Sequence, residues 1–595
     1  MRGCFIIYAK KDFIMKLSNK MLLVLMAGLL LQCSSLWAQS PLDVAKKVAD
    51  KIMRESSFEL ELVPQVAELG LQVVDFRHNY GQGTSGVAYA LSFILSDQDT
   101  SALFGFSCGN PVSIWLNEEL VFSQPKRPLV SPKEICYNRF LFQDTLKWNL
   151  RRGANKILIK TIGDQEDWIF FLRAITAEGD ENRQVKFSLH PIAPKIAGGN
   201  WLCIGVFPGN DLRNALPPER EFTQYYRHEG QLFHWSLPHP NLLLELKIKD
   251  TNSYQRESYL DWHYANGAMM LAIMALGDAT GEEKYLDFVQ KYVDFIMAHQ
   301  DYFRWQYQQC HAYRGSFHRL FRRTMLDDTG APALPLVELF DRTQNADYWN
   351  LIEPLADYVL NEQIRLKDGT FCRPEPTPFT VWADDLFMSV PFLLRLGKMT
   401  GDKKYFDDAA RQIVNFTRLL FDKEKQLFYH GWFSQSNRNS IAFWGRANGW
   451  AIWAISEALR LLPKHHPNYK QILNIYRAQV TGLVTVQDRT GMWHQVLDYP
   501  ESYEETSCTA MFVLALARGV REGWIEKKYK ENAMKAWNAL TQKIADDGTV
   551  HGICRGTEIG NDLEFYFQRA TFDHDPRGLG AVIVAGVEMS KLMKK

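Results

Sequence analysis

The sequence predicts a mainly α-helical chain: a toroid of six helix pairs, with an additional β-sandwich domain near the N-terminus. Three observations carry this. A helix–turn–helix signature repeats, since Thr280-Gly281-Glu282-Glu283-Lys284-Tyr285-Leu286-Asp287 returns as Thr400-Gly401-Asp402-Lys403-Lys404-Tyr405-Phe406-Asp407. Very apolar helical stretches starting near 262, 329, 385, 447, 504 and 577 alternate with amphipathic ones starting near 283, 346, 403, 467 and 527. Between Phe58 and Phe207 the pattern changes to short alternating apolar runs, the period of strands.

Taken in order, residues 1–39 read as an N-terminal extension and signal peptide. Lys16 and Lys20 precede an apolar run from Met21 to Leu31, and the small residues Ser34, Ser35 and Ala38 follow. The run is too short to span a membrane. The expectation is therefore an exported protein, with the periplasm as its destination. Residues 41–56 form a helix, because Val44, Val48 and Ile52 recur every fourth position. Six apolar helices but only five amphipathic ones follow Asp261. The helix at 41–56 supplies the missing sixth as the first outer helix of the toroid, packing on the last inner helix near Gly578 to Leu592.

Residues 58–207 carry the sandwich. Val112-Ser113-Ile114-Trp115-Leu116 and Lys156-Ile157-Leu158-Ile159-Lys160-Thr161 alternate, with turn residues at Asn117-Glu118, Gly153-Ala154-Asn155 and Gly163-Asp164. Residues 208–260 form a connector, and 261–595 the helical catalytic domain. Lys+Arg and Asp+Glu both number 68, so the chain has no net charge to attract nucleic acid. The 17 tryptophans instead suit a site that stacks on sugar rings. The seven cysteines beyond the signal are scattered without a CxxC, so neither a disulfide framework nor a metal site is expected.

Chemistry-bearing residues gather just before, or at the start of, the apolar helices. They are Trp262-His263-Tyr264, Asp327-Asp328-Thr329-Gly330, Trp382-Ala383-Asp384-Asp385, Trp444-Gly445-Arg446-Ala447-Asn448-Gly449-Trp450, Glu504-Glu505-Thr506 and Asp573-His574-Asp575-Pro576-Arg577. Inner helices of a toroid run the same way, so these stretches meet at one mouth. His430, in the loop before the fourth inner helix, faces the same mouth. One Asp suffices to cap a helix, so of Asp384 and Asp385 one is left for another task. Beside Trp382 an apolar wall raises a carboxyl pKa while a helix N-terminus lowers it. That balance suits proton transfer. A pocket of several Trp, one Arg, one His and two Asp suits an anionic sugar, whose carboxylate an Arg can fork.

At these residues the chain resembles the unsaturated glucuronyl/rhamnogalacturonyl hydrolases, glycoside hydrolase families 105 and 88, and family 105 more than 88. The segments that carry the resemblance are Asp261–Gly267, Leu326–Ala331, Trp382–Met388, Trp444–Trp450 and Glu504–Ser507. It implies an (α/α)6 toroid, to which the β-sandwich is an addition. It implies a substrate oligosaccharide ending in a 4,5-unsaturated uronic acid, and hydration of that double bond without a cofactor. Asp384 would protonate C4 and take a proton from the water attacking C5, with Asp328 as the second acid. Tyr264, Trp382, Arg373, His430, Trp444, Arg446 and Trp450 would line the substrate site, Arg373 standing where many relatives carry His or Lys.

Two other readings stay open at this point. An inverting glycosidase on saturated sugars would pair Asp384 with a second free carboxylate roughly 6.5–9.5 Å away. A non-catalytic sugar-binding protein would keep the Trp and Arg residues but would not need Asp384.

Overall fold

The computed structural model describes residues 40–594 apart from 65–70, 82, 129–141, 164–167, 178, 190–200, 208–232, 237–243, 255, 310–311 and 313–314. The expected signal segment, and most of the expected connector, lie outside the described residues. No helix among the described residues is long and apolar enough to cross a membrane.

The helical part builds on six nearly all-buried helices: α2 (Tyr264–Thr280), α4 (Leu334–Thr343), α6 (Asp385–Thr400), α8 (Gly445–Leu461), α10 (Thr506–Glu522) and α12 (Pro576–Met593). Each packs on the next and α12 closes on α2, giving a ring. Five amphipathic helices lie outside it: α3 (Glu283–Gln309), α5 (Ala346–Asp357), α7 (Lys403–Leu420), α9 (Tyr469–Thr485) and α11 (Tyr529–Thr541). The repeated Thr-Gly marks the reversal from an inner to an outer helix. Gly281 and Gly401 end α2 and α6 at φ 71° and 72°, a left-handed conformation that glycine adopts without a Cβ clash. Thr280 and Thr400 each donate their hydroxyl to the carbonyl four residues back.

The sixth outer position is filled by α1 (Pro41–Arg54). It packs on α12 so closely that a Cβ on Gly586 would meet the Pro41 carbonyl oxygen at 2.6 Å. Lys46 and Asp50 pair with Glu282 and Lys284 at the start of α3, and Lys51 pairs with Asp547 beyond α11. The first helix among the described residues thus completes a ring that is otherwise built by the last 330 or so residues.

Between α1 and α2 the chain leaves and re-enters through a two-stranded antiparallel ribbon, β1 (Leu60–Pro64) with β13 (Leu244–Ile248). Beyond it, one sheet runs β2 (Gln72–Asp75), β9 (Ile169–Ile175), β4 (Thr100–Cys108), β7 (Asp144–Leu150). The facing sheet runs β12 (Phe233–Ser236), β11 (Trp201–Phe207), β3 (Gly86–Ser96), β8 (Gly153–Gly163), β5 (Val112–Leu116), β6 (Glu119–Gln124), with β10 (Lys186–Ser188) also on β3. Phe104, Phe106, Phe170, Trp168 and Trp201 fill the core between the sheets. Strand β12 falls in the stretch read as connector, so the sandwich sheet runs past residue 207. A four-residue strand among prolines is too short to show a period. The sandwich touches the toroid where Leu71, Ile169 and Phe171 pack on Tyr307.

Candidate active site

The site is assembled by a strand pair and a helix start. Thr380–Trp382 pairs antiparallel with Gly431–Phe433, placing Trp382 opposite Gly431. The Ala383 N–H then donates to the His430 carbonyl (3.0 Å), which seats His430 beside Asp384. Asp384 is the residue before α6, but its side chain makes no capping bond. Its Oδ2 lies 3.6 Å from His430 Nε2, too far for a hydrogen bond. Both atoms are buried, and neither has a hydrogen-bond partner among the described residues. Burying polar atoms without partners is costly, and such atoms concentrate where a ligand supplies the partner.

Electrostatics act on this pair in opposite senses. Burial pushes the Asp384 carboxyl up to about 7, with the charges of Asp385 and Asp327 adding to it and Arg373 and Arg446 opposing it. Burial, then the positive charges of Arg373 and Arg446, hold His430 well below its usual range, so it stays neutral. Trp382 and Trp444 flank the imidazole at ring-centre distances of 5.3 and 4.5 Å.

Next to Asp384 lies a buried triad. Arg373 binds Asp385 through Nη2 (2.6 Å) and Nε (3.0 Å), and Asp327 through Nη2 (2.9 Å) and Nη1 (3.3 Å). Its guanidinium also lies 4.2 Å from the Trp382 ring centre. The turn carrying Asp327 can sit on the start of α6 because residue 330 is glycine. A Cβ there would meet the Met388 carbonyl oxygen at 1.9 Å.

The sequence from 245 to 593 matches the pattern of Glycosyl Hydrolase Family 88. The chain belongs to glycosyl hydrolase family 88. Among curated proteins it is 33% identical over 227 residues to the unsaturated rhamnogalacturonyl hydrolase YesR of Bacillus subtilis, covering 37% of this chain and 64% of that one. It is 30% identical over 214 residues to an unsaturated 3S-rhamnoglycuronyl hydrolase of an Alteromonas species, covering 35% and 50%. The chain thus spans between half and just under two thirds of these relatives. A solved structure of a possible GH105 member from Salmonella enterica superposes with a TM-score of 0.51 at 25% identity, covering 58% of this chain and 87% of that one. One from Klebsiella pneumoniae gives 0.51 at 26%, covering 57% and 84%.

Within this family 88 domain the expected site residues divide. Asp384, Trp382, His430 and Trp444 come together as described. Tyr264 accepts from Arg577 Nε (3.2 Å), and its ring meets Trp450 edge-on at 6.1 Å. Trp450 is itself 2% exposed and packed on Phe387 and Trp453, so it supports Tyr264 from beneath. Three of the expected residues are engaged by the protein's own groups. Asp328, expected as the second acid, is fully buried in a two-pronged pair with Arg322 (2.6 and 2.8 Å). The carboxylates whose charges act on Asp384 are Asp385 and Asp327. Arg373, expected to touch substrate, spends its guanidinium on Asp327 and Asp385. Arg446, expected to fork a carboxylate, donates through Nη1 and Nη2 to the backbone carbonyls of Cys554 and Arg555. Asp385 is likewise no helix cap, since its carboxylate belongs to Arg373.

Tyr566 escaped the sequence reading. It sits on a five-residue helix, Leu563–Phe567, between Ile553–Cys554 and α12, too short to show a helical period. The aromatic run Phe565-Tyr566-Phe567 was the available signal.

Proposed function

We propose that this domain hydrates the 4,5-unsaturated uronic acid at the non-reducing end of lyase-generated oligosaccharides, a reaction nearer to family 105 than to ordinary glycoside hydrolysis. The observation that carries the reading is Asp384: a buried carboxyl with raised proton affinity, whose Oδ2 has no hydrogen-bond partner among the described residues, facing a neutral imidazole in an indole-lined site. A carboxyl near 7 can both give and take a proton at neutral pH. Asp384 gives its proton to C4 while water adds to C5, and its carboxylate then takes a proton from that water. The resulting C5 hemiketal opens to a ketone. The hemiacetal left at C1 expels the adjoining sugar and becomes an aldehyde.

The ion pairs around Asp384 support this reading over the inverting glycosidase. That mechanism needs a second carboxylate free to act as base. Here Asp327 and Asp385 are bound to Arg373, and Asp328 to Arg322. The names of the two curated relatives point to unsaturated rhamnose-linked uronides as the substrates to try first. The Trp382 and Trp444 rings suit a sugar face. No carboxylate pairs with Arg446 among the described residues, so its charge still favours an anionic ring although both of its Nη atoms already donate to carbonyls.

The test follows ultraviolet absorbance of the unsaturated ring during incubation with lyase-generated rhamnogalacturonan, ulvan and glycosaminoglycan fragments. Loss of absorbance with release of a shortened sugar is expected. Cleavage of saturated oligosaccharides without it would establish the glycosidase. Affinity without turnover would establish a binding protein.

A further inference from the structure

We propose that Tyr566 is a positioning residue that fixes His430 as its Nε2–H tautomer and aims that N–H at Asp384. The hydrogen-bond inventory of one oxygen carries the argument. The Gly560 N–H donates to Tyr566 Oη at 3.0 Å. The same oxygen lies 2.9 Å from His430 Nδ1. A phenol has one proton to give. Among the described residues its only acceptor is His430 Nδ1, so the Tyr566 hydroxyl donates there. A neutral imidazole that accepts at Nδ1 carries its single proton on Nε2. The opposite assignment would leave the buried phenol proton with nothing to bond, at the cost of an unsatisfied polar group.

The surroundings hold that arrangement rigid. Tyr566 and His430 are both fully buried. Trp382 and Trp444 fix the imidazole plane from two sides, and the His430 backbone N–H donates to the Ala442 carbonyl (3.0 Å). The stretch that delivers Tyr566 is anchored by Arg446, whose guanidinium grips the carbonyls of Cys554 and Arg555. That gives the arginine's fork a task other than the substrate: Arg446 holds the loop, the loop holds Tyr566, Tyr566 sets His430, and His430 faces Asp384.

The chemical consequence follows from which nitrogen is bare. Nε2–H is a donor only, so His430 cannot take a proton from water, and Asp384 is the only base of the pair. The N–H instead donates to an oxygen placed between the two residues, or to the Asp384 carboxylate after it has given its proton to C4. This kinetic consequence rests on the hydration reaction proposed above, whereas the tautomer is a property of the free protein.

The experiment labels the histidines of the full chain with 15N and reads the ring couplings of His430, identified by its loss in His430→Gln. The Nε2–H pattern is expected in the native chain at pH 7. In Tyr566→Phe it should give way to a mixture with the Nδ1–H form. The same variant should lose roughly tenfold in kcat, the size of one lost hydrogen bond, with KM nearly unchanged. An Nδ1–H or doubly protonated His430 in the native chain would overturn the proposal, whether or not the variant folds. So would an unaltered tautomer and kcat in Tyr566→Phe. A native Nε2–H tautomer in a protein that leaves unsaturated uronides intact would sink the proposed function while leaving the tautomer assignment standing.

Discussion

The two ends of the helical ring treat buried charge in opposite ways. At the end where the inner helices finish, Glu457 is bound by Arg395 (2.9 Å), Arg518 (2.7 Å) and Arg460 (3.0 Å). Arg518 and Arg521 also bind Glu588, and Arg395 binds Glu338. These residues line a cavity of about 320 Å³. At the end where the inner helices begin, Asp384 is also buried, but its Oδ2 has no hydrogen-bond partner among the described residues. Arg395 lies only eleven residues beyond Asp384 on the same helix, about 16 Å along its axis. The protonation states diverge accordingly. Burial pushes both carboxyls up, but at Glu457 the charges of Arg460, Arg518 and Arg395 win and hold it well below the usual range. At Asp384 burial wins, and the group stays near 7. Burial alone therefore does not make a site. What distinguishes the two ends is whether the protein itself completes the hydrogen bonds.

The largest expected effect breaks the paired end. Glu457→Ala leaves Arg395 and Arg518 buried with a partner missing, which should cost about 3–5 kcal/mol of stability. Chemical denaturation should show it, while kcat below the melting transition stays unchanged. A small stability change would mean that water replaces the carboxylate and that the two ends are less different than their contacts imply.

Asp384→Asn breaks the other end in the complementary way. Activity should fall at least roughly 10²-fold, the usual floor for losing a general acid–base group. Stability should move the other way. The native-state pKa of Asp384 is raised above its unfolded value, so the folded chain binds the proton more tightly, and the native protein loses stability as pH rises from about 4 to about 7. Asn removes that dependence. Melting temperatures of the variant and the native chain should therefore diverge in the variant's favour toward pH 8. A variant that is inactive and also destabilised at pH 8 would make Asp384 structural.

The same pKa sets the rate profile. Asp384 must be protonated to deliver its proton to C4, so kcat/KM should fall above about pH 7. His430 is neutral throughout and should add no limb between pH 6 and 8. A further ionisation in that window, lost in His430→Gln, would show that the imidazole titrates.

The fold was legible because it rests on periods. The helix count, six inner against five outer, was enough to recruit α1 across a 200-residue insertion, since every inner helix needs an apolar partner. The site was legible only in part. Stretches such as Trp382–Asp385 and Trp444–Trp450 show which segments meet, but not which side chain is free. Asp328 and Asp384 look alike in sequence. One is paired with Arg322, six residues upstream at the end of a short helix, and the other has no such partner among the described residues. Arg446 looks like a carboxylate clamp until the loop carbonyls at Cys554 and Arg555 take its Nη atoms. Pairing across distant segments carries no local signal, so the division into spent and unspent charges emerges only from the folded chain.

The smallest expected effect distinguishes Asp327 from Asp328. In Asp328→Asn the buried Arg322 loses an ionised, two-pronged partner, so the chief result should be a lower melting temperature. In Asp327→Asn, Arg373 keeps its tighter pair with Asp385, and the stability loss should be smaller. The informative change is electrostatic. Asp327 is one of the negative charges that raise the proton affinity of Asp384, and removing it leaves the positive charge of Arg373 less compensated. The pKa of Asp384 should therefore drop, and the alkaline limb of kcat/KM should move to lower pH in Asp327→Asn while staying in place in Asp328→Asn. Measuring both profiles on one unsaturated disaccharide decides the matter. A limb that moves in Asp328→Asn alone would restore Asp328 as the residue coupled to the acid.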